Sequence, residues 1–457
     1  MTLTGIANDE SRITTAQLIE ALMETRAHTL ALVADLSEAQ LMGPRLQIVN
    51  PLRWEIGHLA WFQEYWVLRR LSGQPPILKQ ADELYDSARV SHDTRWDLPL
   101  FERDRTLAYM EQVLERVIEQ ASSEGLSLKD AEGYDQEYFL NLVLLHEQMH
   151  DEAITYTRQT LSYPSPTLAV TNEVRFPEDA RLVRNGNDLT GDAEIPGGKF
   201  TLGSIAKQNF VFDNELMAHE VEIARFAISK TPVSNGMFKN FVEDNGYKRG
   251  ELWTEEGWQW RTAASAEHPV YWRRERNDWL RRNFDEWIAL DDRLPVIHVN
   301  WHEADAFCRW AGRRLPSEAE WEMAASAEPN SNGGGLAKRK RSYPWGDDLP
   351  TPERANLDWR AMGCIPVDAL PASDSAFGCR QMIGNVWEWT ASDFNPYPGF
   401  VGGPYREYSE PWFGDHKVLR GGCWVTRSRL IHDSYRNFYT PDRRDVWAGF
   451  RTCAVNI

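Results

Sequence analysis

His146 and His150 stand four residues apart in LNLVLLHEQMHDEAITYTRQTL, residues 140–161. The periodicity of that run predicts one helix, on which positions i and i+4 share a face, so both imidazoles can reach a single metal ion. The third ligand candidate is His58, in NPLRWEIGHLAWFQEYWVLRRL, a second strongly periodic run. One imidazole from one helix and two from another is how helix bundles build metal sites. HEQMH also fits the HExxH pattern of zinc proteases, in which the Glu is general base. An Asn172-Glu173 pair lies downstream near where a third protease ligand could fall. Pro164 and Pro166 precede it, however, and no second helix there completes the motif, so a bundle metal centre is the better reading.

The elements that must hold these residues follow from periodicity and breakers. Apolar residues recur at helical spacing over 15–36, and a second helix runs from about Leu52 to Leu71, where SGQPP stops it. A third covers about 101–121 and ends before SSEG; a fourth covers about 135–161 and ends before YPSP. Residues 77–100 read as irregular. Together these make an up-down four-helix bundle over residues 1–162 with a long second connection. Residues 163–189, with prolines, asparagines and short apolar runs, read as a linker.

From residue 190 to 457 the texture changes to Gly, Trp and Asn, with short β-like runs such as GGKFTLG, VEIARFAISK and KVLRGGCWV. Two helices stand out, WHEADAFCRWAG and SEAEWEMAASA, the second opened by a capping box of Ser317 and Glu320. The expected class is α+β, with many backbone groups of the second domain satisfied by side chains and loops.

Composition narrows the function. A chain of 457 residues exceeds one ordinary core. Its 42% hydrophobic and 26% charged residues are those of a soluble globular protein. The net charge of −18 argues against nucleic acid, whose binding depends on phosphate-neutralising Lys and Arg. The one basic run, KRKR at 338–341, follows SNGGGLA and reads as a mobile loop tip. The opening MTLTGIANDESR lacks the basic start and apolar run of a signal peptide, and no segment approaches the roughly 18 apolar residues of a membrane span. A cytoplasmic protein with no membrane partner is expected. Five cysteines, odd in number and never spaced CxxC, fit reduced thiols. Twenty tryptophans suit a core, and also cages for cationic ligands or sugar-stacking surfaces.

HLAW at 58–61, HEQMH at 146–150, and then NWHEADAFCRWAGRRLPSEAEWEMAA, YPWG, GNVWEWTAS, PYPGF, VLRGG and GFR resemble, in order and over nearly the whole chain, the ergothioneine-type sulfoxide synthases. That resemblance implies a DinB-like four-helix bundle joined to a formylglycine-generating-enzyme-like, C-type-lectin-like domain. It implies a mononuclear non-haem iron(II) held by His58, His146 and His150, with open positions for substrates and dioxygen. The acceptor implied is hercynine, the trimethylated betaine of histidine, substituted between its ring nitrogens. RNFYTPDRR, residues 436–444, matches the family's substrate loop, making Asn437 and Phe438 the candidates for holding hercynine; its quaternary ammonium calls for aromatic faces. In PYREYSEPWFGDH, Tyr405 aligns with the family's proton-donating tyrosine, and Tyr408 lies three residues on. Asn385 and Glu388 in GNVWEW are candidates for a structural calcium site, as in relatives. Formylglycine-generating enzymes need a reactive cysteine pair, and those positions here hold Thr426 and Ile431.

The donor is read from departures. Family members that use γ-glutamylcysteine pair an Asp with an Arg in the substrate loop; here Arg443 remains but Tyr439 stands at the Asp position, and a phenol cannot partner an ammonium as a carboxylate does. Asp86-Ser87-Ala88-Arg89 likewise replaces an Asn-Ser-Tyr-Tyr run. LYDSARVSHDTRWDLPL and NFYTPDRRDVWAGFRTCA look closest to the selenoneine synthase branch, in which a seleno-sugar is joined to hercynine, and Tyr439, Trp424 and Arg89 are the candidates for holding the sugar. The alternative is an ergothioneine-type sulfoxide synthase using cysteine or another thiol. A non-catalytic betaine-binding protein is the outside alternative, opposed by three intact histidines.

Overall fold

The structure is a computed structural model describing residues 13–123, 128–169, 189–205, 210–330 and 335–455. It divides into two compact units, Met1–Ile154 with Ile205–Phe212, and Thr155–Ser204 with Asp213–Ile457. Most of the proposed linker, with Asn172 and Glu173, lies outside the described residues.

The first unit is helical. Helix Thr15–Val33 starts from a capping box of Thr14 and Gln17. Helix Leu52–Gln63 carries His58 and continues as a π-helical stretch, Glu64–Leu71, where one unbroken α-helix was expected. Glu64 ties that stretch to the rest of the unit, accepting from the Ile77 N–H at 3.0 Å and the Tyr109 hydroxyl at 2.6 Å. Helices Arg103–Ser122 and Gln136–Thr160 follow. Residues 77–100 are less irregular than their composition suggests, holding a short helix, Ala81–Tyr85, and a turn of 3-10 helix, His92–Thr94.

Arg26 joins all four long helices. Its guanidinium donates to the Glu147 carboxylate at 2.7 and 3.1 Å, the Met110 carbonyl at 2.6 Å and the Gln63 amide oxygen at 2.9 Å. A buried ion satisfied at this many points avoids the desolvation cost of an unpaired one. Gln148 and Asp151 are fully buried: Gln148 donates to the Thr25 hydroxyl at 3.0 Å and Asp151 accepts from Thr29 at 2.7 Å.

The second unit is α+β with short, widely connected strands. One four-stranded sheet runs Asp192–Ile195, Phe226–Ser229, Cys453–Ala454, Arg313–Arg314; another runs Asn437–Tyr439, Lys417–Arg420, Trp387–Asp393, Ala448–Gly449. A three-stranded meander, Trp272–Glu275, Asp278–Asn283 and Glu286–Ala289, was not foreseen from the sequence. Helices Trp301–Trp310 and Glu318–Ser326 occur where expected, the second with its Ser317–Glu320 capping box. Beneath them lies an ionic core: Arg420, with no solvent exposure, donates to Glu318 at 2.8 Å and to Glu322, while Arg436 reaches Glu318 at 2.7 Å and Lys340 reaches Glu322 at 2.6 Å.

Two expectations need correction here. KRKR is not a loop tip: residues 338–340 belong to strand Leu336–Lys340, paired with Ala327–Pro329, and Lys340 and Arg341 are bound by Glu322 and Glu328. Nor do Asn385 and Glu388 offer a calcium site. Glu388 already accepts from Arg451 at 2.6 and 2.8 Å and from the Trp321 indole at 2.7 Å, and the Asn385 amide is engaged by Gln381, Asn356 and Ile365. A hard cation needs six to eight oxygens, and this carboxylate is already neutralised. All five cysteines are free thiols. Among the described residues no helix is long and apolar enough to cross a membrane.

Candidate functional site

Helix Leu52–Gln63 supplies His58 and helix Gln136–Thr160 supplies His146 and His150. A ligand nitrogen of each lies within 4.8 Å of the others, and this is the one such group of three or more candidate ligands among the described residues. Ring centroids are 5.2 Å apart for His58 and His146, 5.1 Å for His58 and His150, and 4.4 Å for His146 and His150. Phe62 stacks flat on His146 at 3.5 Å, and Trp54 stacks on His58 at 4.7 Å.

The donor set fits a divalent iron. His58 Nδ1 donates to the Tyr85 carbonyl at 2.7 Å, and His150 Nδ1 donates to the Glu55 carboxylate at 2.5 Å. Both acceptors lack a proton to give, so in each ring the Nδ1 proton is fixed and Nε2 carries the lone pair available to a metal. Burial, then the nearby His150, hold His58 down at about 3; burial, then His150 and His58, hold His146 well below the ordinary range. Neutral imidazole is the form that binds metal. Burial raises the Glu55 carboxyl, but His150 and Asn50 outweigh it and hold it at about 2, so it is an anion at neutral pH.

These values set a pH dependence for the metal-free chain. The folded-state value of His58, about 3, lies below the unfolded 6.5, so the unfolded chain takes up protons first as pH falls. Stability present above 6.5 is therefore lost progressively as pH drops toward 3. Between pH 7 and pH 5 the contribution is about 2 kcal/mol. Glu55 does not act in this window, because its contribution is lost only below its unfolded value of 4.5. The urea midpoint of the metal-free protein is expected to fall over that range, and to fall less in a His58→Asn variant.

The protease reading of HEQMH fails on geometry. Both oxygens of Glu147 are taken by Arg26, Gln63 and Thr29 inside the bundle, which leaves none to act as general base on a metal-bound water.

Gly57 beside His58 has a packing reason: a Cβ there would meet the Tyr85 ring at 2.2 Å, so only glycine lets that ring lie against the helix with its carbonyl on His58. Glu55, Asn50, Tyr85 and Arg95 were not singled out from the sequence. The signal available was Glu55 itself, a charged residue three before His58 on an otherwise apolar helix face.

Arg89 is exposed and paired with Asp86 at 3.1 Å. The other candidates lie in the second unit. Asn437, Phe438 and Tyr439 form an edge strand paired with Lys417–Arg420, so Phe438 points to the face opposite its two neighbours. Phe438 is half-buried and stacks on Phe394 at 3.9 Å, with Tyr408 at 5.5 Å; Tyr405 lies 6.0 Å from Tyr408. Burial, then Glu215 and Asp213, raise the Tyr408 phenol, keeping it protonated. Arg443 is bound at Nε and Nη2 by Asp445, at 2.7 and 2.8 Å, with the rings of Tyr439 and Tyr156 5.1 and 5.8 Å away. Trp424 is buried against Trp447 and presents no open face for a sugar to stack on. Thr426 and Ile431 are buried too, the Thr426 hydroxyl accepting from the Cys423 N–H at 2.9 Å.

Residues 16–154 match the DinB superfamily and residues 180–457 the sulfatase-modifying factor enzyme 1-like domain. The chain is 37% identical over 439 residues to the hercynine oxygenase of Mycobacterium tuberculosis, covering 95% of this chain and 98% of that one. It is 34% identical over 445 residues to the hercynine oxygenase of Mycolicibacterium thermoresistibile, covering 95% and 94%. Its likeness to the formylglycine-generating enzyme of Streptomyces coelicolor, 33% identity over 298 residues, covers 58% of this chain and 88% of that one.

Proposed function

The chain belongs to the hercynine oxygenase family, and from that premise we propose that it joins a chalcogen donor to the imidazole of hercynine at an iron(II) centre on His58, His146 and His150. The observation that carries this reading is the convergence of one ligand nitrogen from each of those three imidazoles within 4.8 Å, in a chain alike over 95% of its length to hercynine oxygenases. With a thiol the balance is a C–H and an S–H bond broken, a C–S and an S–O bond formed, and dioxygen reduced to the sulfoxide oxygen and one water. Iron, when bound, supplies coordination of substrates and one-electron chemistry with dioxygen.

The protein's own residues do the rest. His58 and His150 keep their Nδ1 protons on fixed acceptors, so both rings stay oriented. Phe438 and Tyr408, whose rings lie 5.5 Å apart, offer aromatic faces for the trimethylammonium, and Asn437 offers an amide on the other face of the same strand. Tyr405 is the proton donor, with the protonated Tyr408 phenol beside it as the second candidate.

The whole-length likeness supports a sulfoxide synthase acting on cysteine or another thiol ahead of a selenoneine synthase. One observation favours the seleno-sugar as a second reading. Arg443 is already neutralised by Asp445 and flanked by Tyr439 and Tyr156, surroundings better suited to a hydroxyl-rich ring than to a zwitterion. Aerobic turnover of the iron-loaded protein with hercynine and equimolar cysteine, γ-glutamylcysteine and seleno-glucose, read by mass, decides between them. A cysteine adduct in excess is expected on the first reading and a selenosugar adduct on the second; dominance of the γ-glutamylcysteine adduct would overturn the Tyr439 argument.

A further inference from the structure

Two of the three imidazoles answer to one short piece of chain, residues 85–95. The Tyr85 carbonyl holds His58 Nδ1 directly. At the other end Arg95 donates to the Asn50 side-chain oxygen at 2.6 Å, and the Asn50 amide donates to Glu55 Oε1 at 2.6 Å. Glu55 Oε2 is left for His150 Nδ1 at 2.5 Å. The Arg95 guanidinium also lies 3.7 Å from the centre of the Trp54 ring, which itself stacks on His58. Arg95 and Glu55 are buried, 8% and 3% exposed.

Burying Glu55 needs a reason. Its hydrogen-bond partners are the Asn50 amide and the His150 imidazole, a ring that can carry the paired charge itself only by giving up its metal-binding lone pair. A carboxylate in that position is costly unless a cation lies close by. A dication held by the three histidines would supply that charge through the His150 ring, and the carboxylate would in turn fix the tautomer and raise the basicity of that ligand.

We propose that Glu55 is the positioning carboxylate of the metal centre, held in register by Asn50 and Arg95, so that the 85–95 segment sets the orientation of two of the three ligands. This inference rests on the metal reading of the three histidines. Its probe is cobalt(II), titrated into the metal-free full-length protein against a chelator and followed by its d–d absorption, alongside the thermal midpoint of the metal-free state.

Glu55→Gln keeps size and can still pair with Asn50, but it removes the charge. It is expected to weaken cobalt binding about 10- to 100-fold and to shift the d–d bands, with the metal-free midpoint lowered because the anion's bonds to Asn50 and His150 weaken. Glu55→Asp, which keeps the charge on a shorter arm, is expected to recover part of the affinity. Wild-type affinity and spectrum in Glu55→Gln would overturn the proposal. Should that variant misfold, Asn50→Ala decides: a several-fold loss of affinity supports the relay, and none overturns it. Failure of the wild-type protein to bind cobalt at all would instead overturn the metal reading, and this inference with it.

Discussion

A His146→Ala chain is expected to retain its helical fold, to lose iron binding by more than 100-fold, and to show no turnover. His146 is 1% exposed, packed flat on Phe62 and central to the cluster, with both other imidazoles within 5.2 Å. Its removal leaves two imidazoles from two different helices, too few to hold a labile divalent ion. Loss of a group that merely orients a ligand costs 10- to 100-fold, so loss of the ligand itself must exceed that. Alanine is the best helix former, and the truncation also removes a buried polar ring. Iron content after anaerobic loading, with far-ultraviolet circular dichroism as the check on folding, reads the outcome. Full iron loading in this variant would place the metal elsewhere.

The largest expected effect on stability lies in the second unit. Arg420→Met is expected to cost about 3–5 kcal/mol, because the side chain removed is fully buried and joins two carboxylates. Glu318 and Glu322 would keep Arg436 and Lys340 but lose the cation between them. By contrast Arg225→Ala breaks an exposed pair with Glu194, 57% and 69% open to solvent, and is expected to change stability by less than about 0.5 kcal/mol. Thermal unfolding followed by tryptophan fluorescence compares the two. A drop of at least about 6 °C is expected for Arg420→Met, against almost none for Arg225→Ala. Equal small shifts would mean that the ionic core is not what holds this unit together.

The contrast between what the sequence revealed and what it concealed has a physical basis. His146 and His150 were legible because helical spacing alone places them on one face, and Ser317 with Glu320 because a capping box is a local pattern. The π-helical stretch after Gln63 was not legible, and the bonds Glu64 makes there, to Ile77 and Tyr109, run to residues outside its own helix. KRKR was misread for the same reason: its apparent loop character comes from the glycines before it, whereas strand pairing to residues 327–329 and the buried Glu322 decide its place. Glu388 looked like a cation ligand until Arg451, 63 residues away, proved to be its cation. Glu55 stood in plain view beside His58, but its bond runs to His150, and a partner 95 residues distant leaves no local trace.

The most direct measurement uses hercynine deuterated between its ring nitrogens, supplied with oxygen, cysteine and seleno-glucose to the iron-loaded protein, with oxygen uptake and product mass followed together. The account predicts that deuterium leaves in step with oxygen consumed, and that each product carries the donor on the imidazole carbon. Hercynine recovered with its label intact, whether the donors are oxidised or not, would contradict it.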